Sequence, residues 1–241
     1  MANPKIFYAN LLTTAMVAST TASGYAVANL VDWRPYTRWK PTAAPATLTM
    51  DCGSAQTADY GFVYAEAGTY QVRASTDNFS ASDVLLGTIT LTATGPGLVV
   101  FASASYRYYR ITSTTGTPEV GIAAVGAALE MPVPLDAGFG PIDRKVIGQI
   151  NRSVGGHALG RVIDYEDWSA KLKFAWCTWS FARNTFKPAW TGHLRSKPFG
   201  FCWDPASYPD EVRLVMAGDS LDIPHQPGSY CDIEFEIKGV L

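Results

Sequence analysis

The chain has 241 residues, of which 19 are Lys or Arg and 21 are Asp or Glu, so its formal net charge is −2. Hydrophobic residues make up 47% and charged residues 17%, which excludes a disordered chain and argues against a nucleic-acid binder with a basic patch. Four scattered cysteines do not make a disulfide framework in a chain this long. Low charge, many aromatic residues and frequent Gly, Pro and Thr favour many short strands.

The N-terminal segment has a weak likeness to a secretory signal. Lys5 precedes an apolar run that Asn10, Thr13 and Thr14 interrupt, so we expect no cleaved signal. Nothing later reaches the ~18 unbroken apolar residues of a spanning helix. We therefore expect folding in a reducing cytoplasm, with the cysteines packed as small apolar core residues. These are Cys52, Cys177, Cys202 and Cys231.

The composition changes near residue 132. Residues before it are rich in Ser, Thr, Ala and Gly, whereas residues after it hold denser aromatic side chains and most of the Lys and Arg. Residues 132–141 contain three prolines and two glycines, which continue neither a strand ladder nor a helix. The sequence predicts a first domain over 1–131, an extended linker over 132–141 and a second β-rich domain over 142–241.

Short β-rich runs alternate with turn clusters in the first domain. The predicted strands are residues 47–50, 60–64, 70–74, 98–101 and 106–111. A cluster at 51–54 predicts a turn after the first strand, and the alternation in 106–111 predicts a strand buried mainly through its aromatic rings. Turns about every 8–12 residues are typical of a sandwich or jelly roll. The predicted fold class is all-β.

The second domain is also predicted to be mostly β. In its final strand Cys231, Ile233, Phe235 and Ile237 alternate with Asp232, Glu234, Glu236 and Lys238, so the two sets should lie on opposite faces. One helix is predicted over 179–190, ending near Lys187 and Pro188 because proline disfavours helix at the residue before it.

No arrangement of residues predicts a catalytic or metal centre. The three histidines are far apart, and neither a zinc-type Cys pair nor a nucleophile elbow is present. Cys202, His225 and Cys231 would form a metal site only if the fold brought them together. Loop histidines and core thiols are the simpler interpretation. We therefore expect no catalysis, no metal and no cofactor.

One loop-like stretch combines two indoles, a phenol and two guanidinium groups. Its residues are Trp33, Arg34, Tyr36, Arg38 and Trp39. Such groups can stack on a sugar ring and bind its hydroxyls, or anchor a protein interface. The alternative is that Trp39 begins a strand and plugs one end of the barrel, while the arginines are solvated.

The second domain is dense in large aromatic residues. They are Trp168, Phe174, Trp176, Trp179, Phe181, Phe186, Trp190, Phe199, Phe201 and Trp203. Each large ring buries on the order of 150–250 Å². A domain of about a hundred residues does not easily hide them all. We therefore predict that part of this surface meets another subunit.

Several segments of the first domain resemble the discoidin (coagulation-factor type C) family. They are 29–32 with 37–39, 48–55, 75–79, 108–111 and 122–129, in the family's order. The resemblance spans about residues 10–130 and implies a galactose-binding-like jelly roll. Ligand contacts of that family lie on variable loops, so it assigns no binding residue.

Over nearly its full length the chain also resembles proteins of siphophage and prophage tail modules, in which a discoidin-like domain leads into a second β domain. The joining passage here is Gly126–Pro132 in sequence order, GAALEMP. This resemblance implies a virion structural protein of the tail tip, the distal tail (hub) protein, assembled in the host cytoplasm. Such proteins form rings, commonly hexamers, that connect the tail tube to the tip or baseplate, with DNA passing through the lumen.

One site expectation accompanies that resemblance, and one alternative function of a different class stands beside it. The acidic face of the final strand, Asp232, Glu234 and Glu236, would line the lumen and repel DNA; the alternative is a solvated outer sheet face. The alternative function is a carbohydrate-binding adhesion module that contacts host surface glycans through the loop from Trp33 to Trp39.

Overall fold

The computed structural model describes residues 2–141 and 143–240 and shows an all-β protein with one long helical segment and short 3-10 helices. The chain divides into two compact units: unit 1 holds Met1–Pro134 and Lys197–Leu214, and unit 2 holds Leu135–Ser196 and Val215–Leu241. None of the helices among the described residues has the length and apolarity to cross a bilayer.

The division differs from the predicted domains in one segment. The chain leaves unit 1 inside the predicted linker 132–141, but residues 197–214 return to unit 1 although the second domain was predicted to hold them. The reason is strand pairing: β12 (Phe199–Cys202) pairs antiparallel with β1 (Lys5–Phe7), which also pairs with β8 (Leu129–Glu130). The predicted limits 1, 142 and 241 lie outside the described residues.

A curled antiparallel sheet forms most of unit 1. Its order is β2–β3–β6–β4–β5, and β7 pairs with the later part of β3, beyond the part that pairs with β2. The strands are β2 (Val17–Ala18), β3 (Ala46–Ala65), β4 (Gly68–Ser75), β5 (Val84–Leu91), β6 (Gly95–Ser113) and β7 (Val120–Gly126). A 3-10 helix, Val27–Val31, precedes β3. The sequence predicted a jelly-roll-like β architecture for this part. The structure shows it as a curled antiparallel sheet.

Two long strands replace four predicted short ones. Residues 47–50 and 60–64 both lie in β3, and residues 98–101 and 106–111 both lie in β6. The predicted turn at 51–54 is wrong: the β3–β6 pairing shifts register between Asp51 and Gln56, with Gly53 at φ +75°, so the extra residues form a bulge. Bulges bend the strands, and the curled sheet encloses an apolar core that includes Trp39, Tyr70 and Tyr109.

Unit 2 combines a second antiparallel sheet, a helical segment and a separate hairpin. In the sheet β11 (Ser169–Thr178) and β13 (Arg213–Asp222) pair with β15 (Tyr230–Gly239), and β14 (His225–Gln226) adds to β15. The hairpin consists of β9 (Lys145–Arg152) and β10 (Ala158–Asp167).

The helical segment runs on past its predicted end. Trp179–Phe181 and Lys187–Ala189 are α-helical and alternate with π-helical turns Ala182–Phe186 and Trp190–Leu194. The Lys187 N–H donates to the Ala182 carbonyl five residues earlier, which makes a turn wider than that of an α-helix. The helix then continues through Pro188, which has no N–H to donate. A short 3-10 helix, Pro209–Glu211, precedes β13.

Candidate functional site

The predicted loop site of unit 1 does not present its indoles to solvent. Trp39 is 1% exposed and donates its Nε1–H to Thr21 Oγ1 at 3.1 Å. Trp33 is 3% exposed, and its ring stacks on Phe62 with the centroids 6.2 Å apart. Both indole rings are thus packed within the chain and present no stacking surface, whereas a ligand or interface role of the rest of the loop stays a prediction.

The other members of that loop divide between structure and solvent. Arg38 pairs with Glu119 at 3.1 Å, whereas Arg34 is exposed and Tyr36 is 72% exposed. A hydrogen bond within the loop supports its conformation: Asp32 Oδ1 accepts from the Arg34 N–H at 2.8 Å. The open alternative for Trp39, that it plugs the barrel, describes its position better than the ligand hypothesis does.

A groove that the sequence did not single out lies on the outer face of the curled sheet. We call it the Tyr108 groove; it has a volume of about 390 Å³. It is lined by β2, β3 and β6 and by the loop after β4, chiefly through Val17, Thr47, Thr49, Asp51, Asn78, Tyr108 and Arg110. The alternation in 106–111 was the available signal: Tyr109 and Ile111 are buried, so Tyr108 and Arg110 face outward.

The charged groups of the groove are held in fixed positions. Arg110 donates from Nε to Thr49 Oγ1 at 2.9 Å, and its guanidinium lies 3.6 Å from the centroid of the Phe79 ring. Asp51 accepts two bonds of 2.8 Å from Arg107, which hold the pKa of Asp51 down at about 2. Asp51 is therefore a carboxylate, with its position fixed, at every physiological pH.

The loop after β4 presents Phe79 to Arg110 through an internal hydrogen-bond network. The Ser75 hydroxyl, 0% exposed, accepts the N–H groups of Asp77 and Phe79 at 3.0 and 2.8 Å. Asp77 in turn accepts N–H groups from Ser80, Ala81 and Ser82. Asn78 and Phe79 lie at φ +59° and +63°, where a non-glycine backbone is strained and needs such support.

The predicted acidic face of unit 2 is largely neutralised. Glu234 pairs with Lys171 at 2.8 Å and with Lys173 at 3.3 Å. Asp232 is 2% exposed and accepts from the Trp176 N–H and the Gln226 side chain, and Lys173 lies 3.5 Å away. Of the three acids only Glu236 is exposed without such a partner among the described ion pairs. Lysines of β11 therefore offset the charge of Asp232 and Glu234, and the lining of a lumen by this face stays a prediction.

Most of the aromatic residues predicted to meet a neighbour are buried within the chain. Phe174, Phe186 and Trp190 pack around Phe235, with ring centroids 5.5 to 6.3 Å apart. Trp176 alone of the ten is more than half exposed. These rings are buried because Phe186 and Trp190 of the helical segment pack against Phe235 of β15. Six other large apolar side chains that are more than half exposed lie on the hairpin β9–β10 and its turn.

Three of the four thiols are core residues as predicted, but the histidines do not all lie in loops: His193 is in the π-helical turn Trp190–Leu194 and His225 is in β14. Cys177, Cys202 and Cys231 are buried and Cys52 is half-buried, all as free thiols. Burial raises the pKa of Cys177 and of Cys202 to about 12. Residues 2–141 and 143–240 contain no group of three His, Cys, Asp or Glu side chains placed to hold a metal ion.

Comparison with known proteins finds likeness in solved structures only. No protein-family model matches the sequence, and no curated protein matches it. The chain is similar to a chitosan-binding module from a chitosanase/glucanase of Paenibacillus sp. IK-5, with 22% identity, 48% of this chain and 98% of that one covered, and a TM-score of 0.42.

Two further structures resemble the same share of the chain. One is a CBM32 module from Clostridium perfringens in complex with GalNAc-β-1,3-galactose (14% identity, 46% and 94% covered, TM-score 0.41). The other is the CBM32 of AlyQ in complex with 4,5-unsaturated mannuronic acid (21% identity, 48% of this chain and 97% of that one covered, TM-score 0.42). These values describe a similarity of fold over about half of the chain and nothing about its ligands.

Proposed function

We propose that the chain is a non-catalytic carbohydrate-binding protein whose unit 1 binds a neutral glycan in the Tyr108 groove. The observation that carries the proposal is the set of fixed polar groups beside the half-buried phenol ring of Tyr108, one face of which lies 5.0 Å from the Arg107 guanidinium. Asp51 offers acceptors, Arg110 offers donors, and Tyr108 offers a ring face and a hydroxyl.

The size and chemistry of the groove fit this ligand class. Ligand sites commonly have volumes of roughly 300–1,000 Å³, and about 390 Å³ leaves space for one or two sugar rings. Sugar hydroxyls need both donors and acceptors, and the groove presents them along two adjacent strands. Thr47 and Thr49 of β3 add hydroxyl groups to this set.

The site differs from the loop that the sequence indicated. Because Trp33 and Trp39 belong to the core, replacing either one changes folding and reports nothing on binding. The exposed pair Arg34 and Tyr36 supplies the matched control instead. A glycan array probed with wild type, Tyr108→Ala and the double variant Arg34→Ala/Tyr36→Ala separates the two sites. We expect loss of signal only in Tyr108→Ala; loss only in the loop variant would contradict the groove.

We propose as a second candidate function the tail-tip structural subunit, a ring-forming hub protein of a virion. The hairpin β9–β10 favours it, because six of its apolar side chains are more than half exposed: Ile150, Val154, Leu159, Val162, Ile163 and Tyr165. A two-stranded hairpin is marginally stable alone in water. Its edges are complementary in charge: β9 carries Lys145 and Arg152 (+2), and β10 carries Arg161 against Asp164, Glu166 and Asp167 (1 − 3 = −2).

Pairing of β9 from one copy with β10 of the next is a head-to-tail contact of the kind that closes into rings. Sedimentation and negative-stain images of the full chain test this. We expect rings for wild type and for the unit 1 control Leu85→Lys, whose exposed side chain lies on β5. Val162→Lys/Ile163→Lys should be monomeric. A monomeric wild type at micromolar concentration would contradict the hub function and leave the glycan proposal intact.

A further inference from the structure

A cleft of about 470 Å³ lies between the helical segment and the sheet of unit 2. Its floor is apolar, formed by Ala182 and Trp190 of the helical segment and by Leu221 and Ile223 at the end of β13. Arg183 and Lys187 line its helical side, four residues apart. We call it the Arg183 cleft. Neither proposed function uses it.

The two cations of the cleft have no anionic partner in the part of the chain that the structure describes. The ion pairs of unit 2 there engage Lys171 and Lys173 with Asp232 and Glu234, and include neither Arg183 nor Lys187. Both side chains are exposed. Two like charges four residues apart on a helix repel each other, and a bound anion offsets that repulsion.

Local backbone geometry gathers these residues at one place. The cleft-lining residues Ala182, Arg183, Trp190 and Thr191 all lie in the two π-helical turns, a helix distortion that is frequent at functional sites. The guanidinium of Arg183 lies 5.0 Å from the centroid of the Trp179 ring, which orients its remaining N–H groups. The segment thus carries positive charge beside an apolar floor.

We propose that the Arg183 cleft binds an amphiphilic carboxylate. The carboxylate contacts Arg183 and Lys187, and the apolar body covers Leu221, Ile223 and the edge of Trp190. Guanidinium groups bind carboxylates through paired hydrogen bonds, and burial of the apolar body supplies the remaining affinity. Two sources carry this chemistry: a free alkyl carboxylate, and the free carboxyl end of a peptide that finishes in apolar residues.

Titration of the ¹⁵N-labelled full chain tests the proposal through the indole N–H signals of Trp179 and Trp190. The probes are octanoate with octanamide as its neutral match, and acetyl-Ala-Leu-Leu with a free or an amidated end. We expect saturable shifts of these two signals with octanoate or the free peptide, and at least tenfold weaker binding by the neutral matches. Whichever carboxylate binds more tightly identifies the source.

Variants assign the binding to the cleft. Arg183→Gln/Lys187→Gln should weaken carboxylate binding at least tenfold, whereas Arg195→Gln, an exposed cation outside the cleft, should leave it unchanged. Both side chains are exposed, so far-UV circular dichroism and the urea midpoint should stay those of wild type. No saturable shift with either carboxylate, equal binding of octanamide, or an unaffected double variant would overturn the proposal. Glycan binding in unit 1 is independent of all three outcomes.

Discussion

The guanidinium of Arg110 lies 3.6 Å from the centre of the Phe79 ring, and this contact joins β6 to the strained loop after β4. Burial of Arg110 lowers its pKa, which still leaves it charged at physiological pH. The ring covers one face of the guanidinium and the Thr49 hydroxyl accepts from its edge, so the group has one preferred orientation in the Tyr108 groove. The groove is therefore organised before any ligand arrives.

Removal of the Ser75 hydroxyl should loosen that arrangement. Ser75→Ala leaves the N–H groups of Asp77 and Phe79 without their acceptor in a buried place, so we expect the free energy of unfolding to fall by about 1–3 kcal/mol. Urea unfolding measures it. Ser80→Ala, at an exposed position of the same loop, is the control and should change little. Equal stability of the two variants would show that the network does not support the loop.

Substitutions in the predicted ligand loop should separate core from surface. Trp39→Ala removes a side chain that is 1% exposed and should cost about 3–5 kcal/mol of unfolding free energy. Tyr36→Ala removes one that is 72% exposed and should stay within about 0.5 kcal/mol of wild type. Urea unfolding followed by circular dichroism compares them. Similar stabilities would place Trp39 outside the core.

The titration of Asp51 should depend on Arg107. The hydrogen bonds from Arg107 lower the pKa of Asp51 from 3.8 to about 2, so the pair's contribution is complete above pH 3.8 and is lost as the pH falls through about 2. Carboxyl ¹³C shifts should give a midpoint near 2 for wild type. In Arg107→Gln the midpoint should move towards 3.8. An unchanged midpoint would mean that other groups set the Asp51 pKa.

Thiol reactivity should distinguish the cysteines. Burial raises the pKa of Cys177 and Cys202 to about 12, and that of Cys231 also lies above its ordinary value. Burial and Asp51 also raise the pKa of Cys52, but its thiol is only half-buried, so an aromatic disulfide reagent at pH 8 should reach and label Cys52 alone in the native protein. Cys52→Ser should abolish native labelling, and denaturant should expose the other three. Rapid labelling of native Cys52→Ser would contradict this burial.

Local sequence patterns predicted where the strands lie better than they predicted which strands pair with each other. The alternation of the final strand placed Cys231, Ile233, Phe235 and Ile237 on the buried face as predicted, because side chains of a strand alternate whatever it pairs with. The same pattern put Asp232 on the exposed face, and it is buried, since hydrogen bonds from Trp176 and Gln226 make its burial tolerable. Those partners are not visible in local spacing.

The candidate sites depended still more on tertiary contacts. Composition drew attention to Trp33 and Trp39, yet a buried indole and a binding indole have the same sequence signature. The Tyr108 groove assembles from β2, β3, β6 and a loop, and the return of 197–214 to unit 1 depends on pairing with Lys5–Phe7. Pairings between segments so distant in sequence leave no periodicity that a single sequence shows.

Isothermal titration of the array's best neutral glycan into three proteins tests the central claim most directly. They are wild type, Tyr108→Ala/Arg110→Gln, and the loop variant Arg34→Ala/Tyr36→Ala. We expect saturable binding by wild type and the loop variant with equal affinity, and at least tenfold weaker binding by the groove variant with its fold intact. Absence of binding by wild type to every arrayed glycan, or full affinity in the groove variant, would contradict glycan binding in the Tyr108 groove.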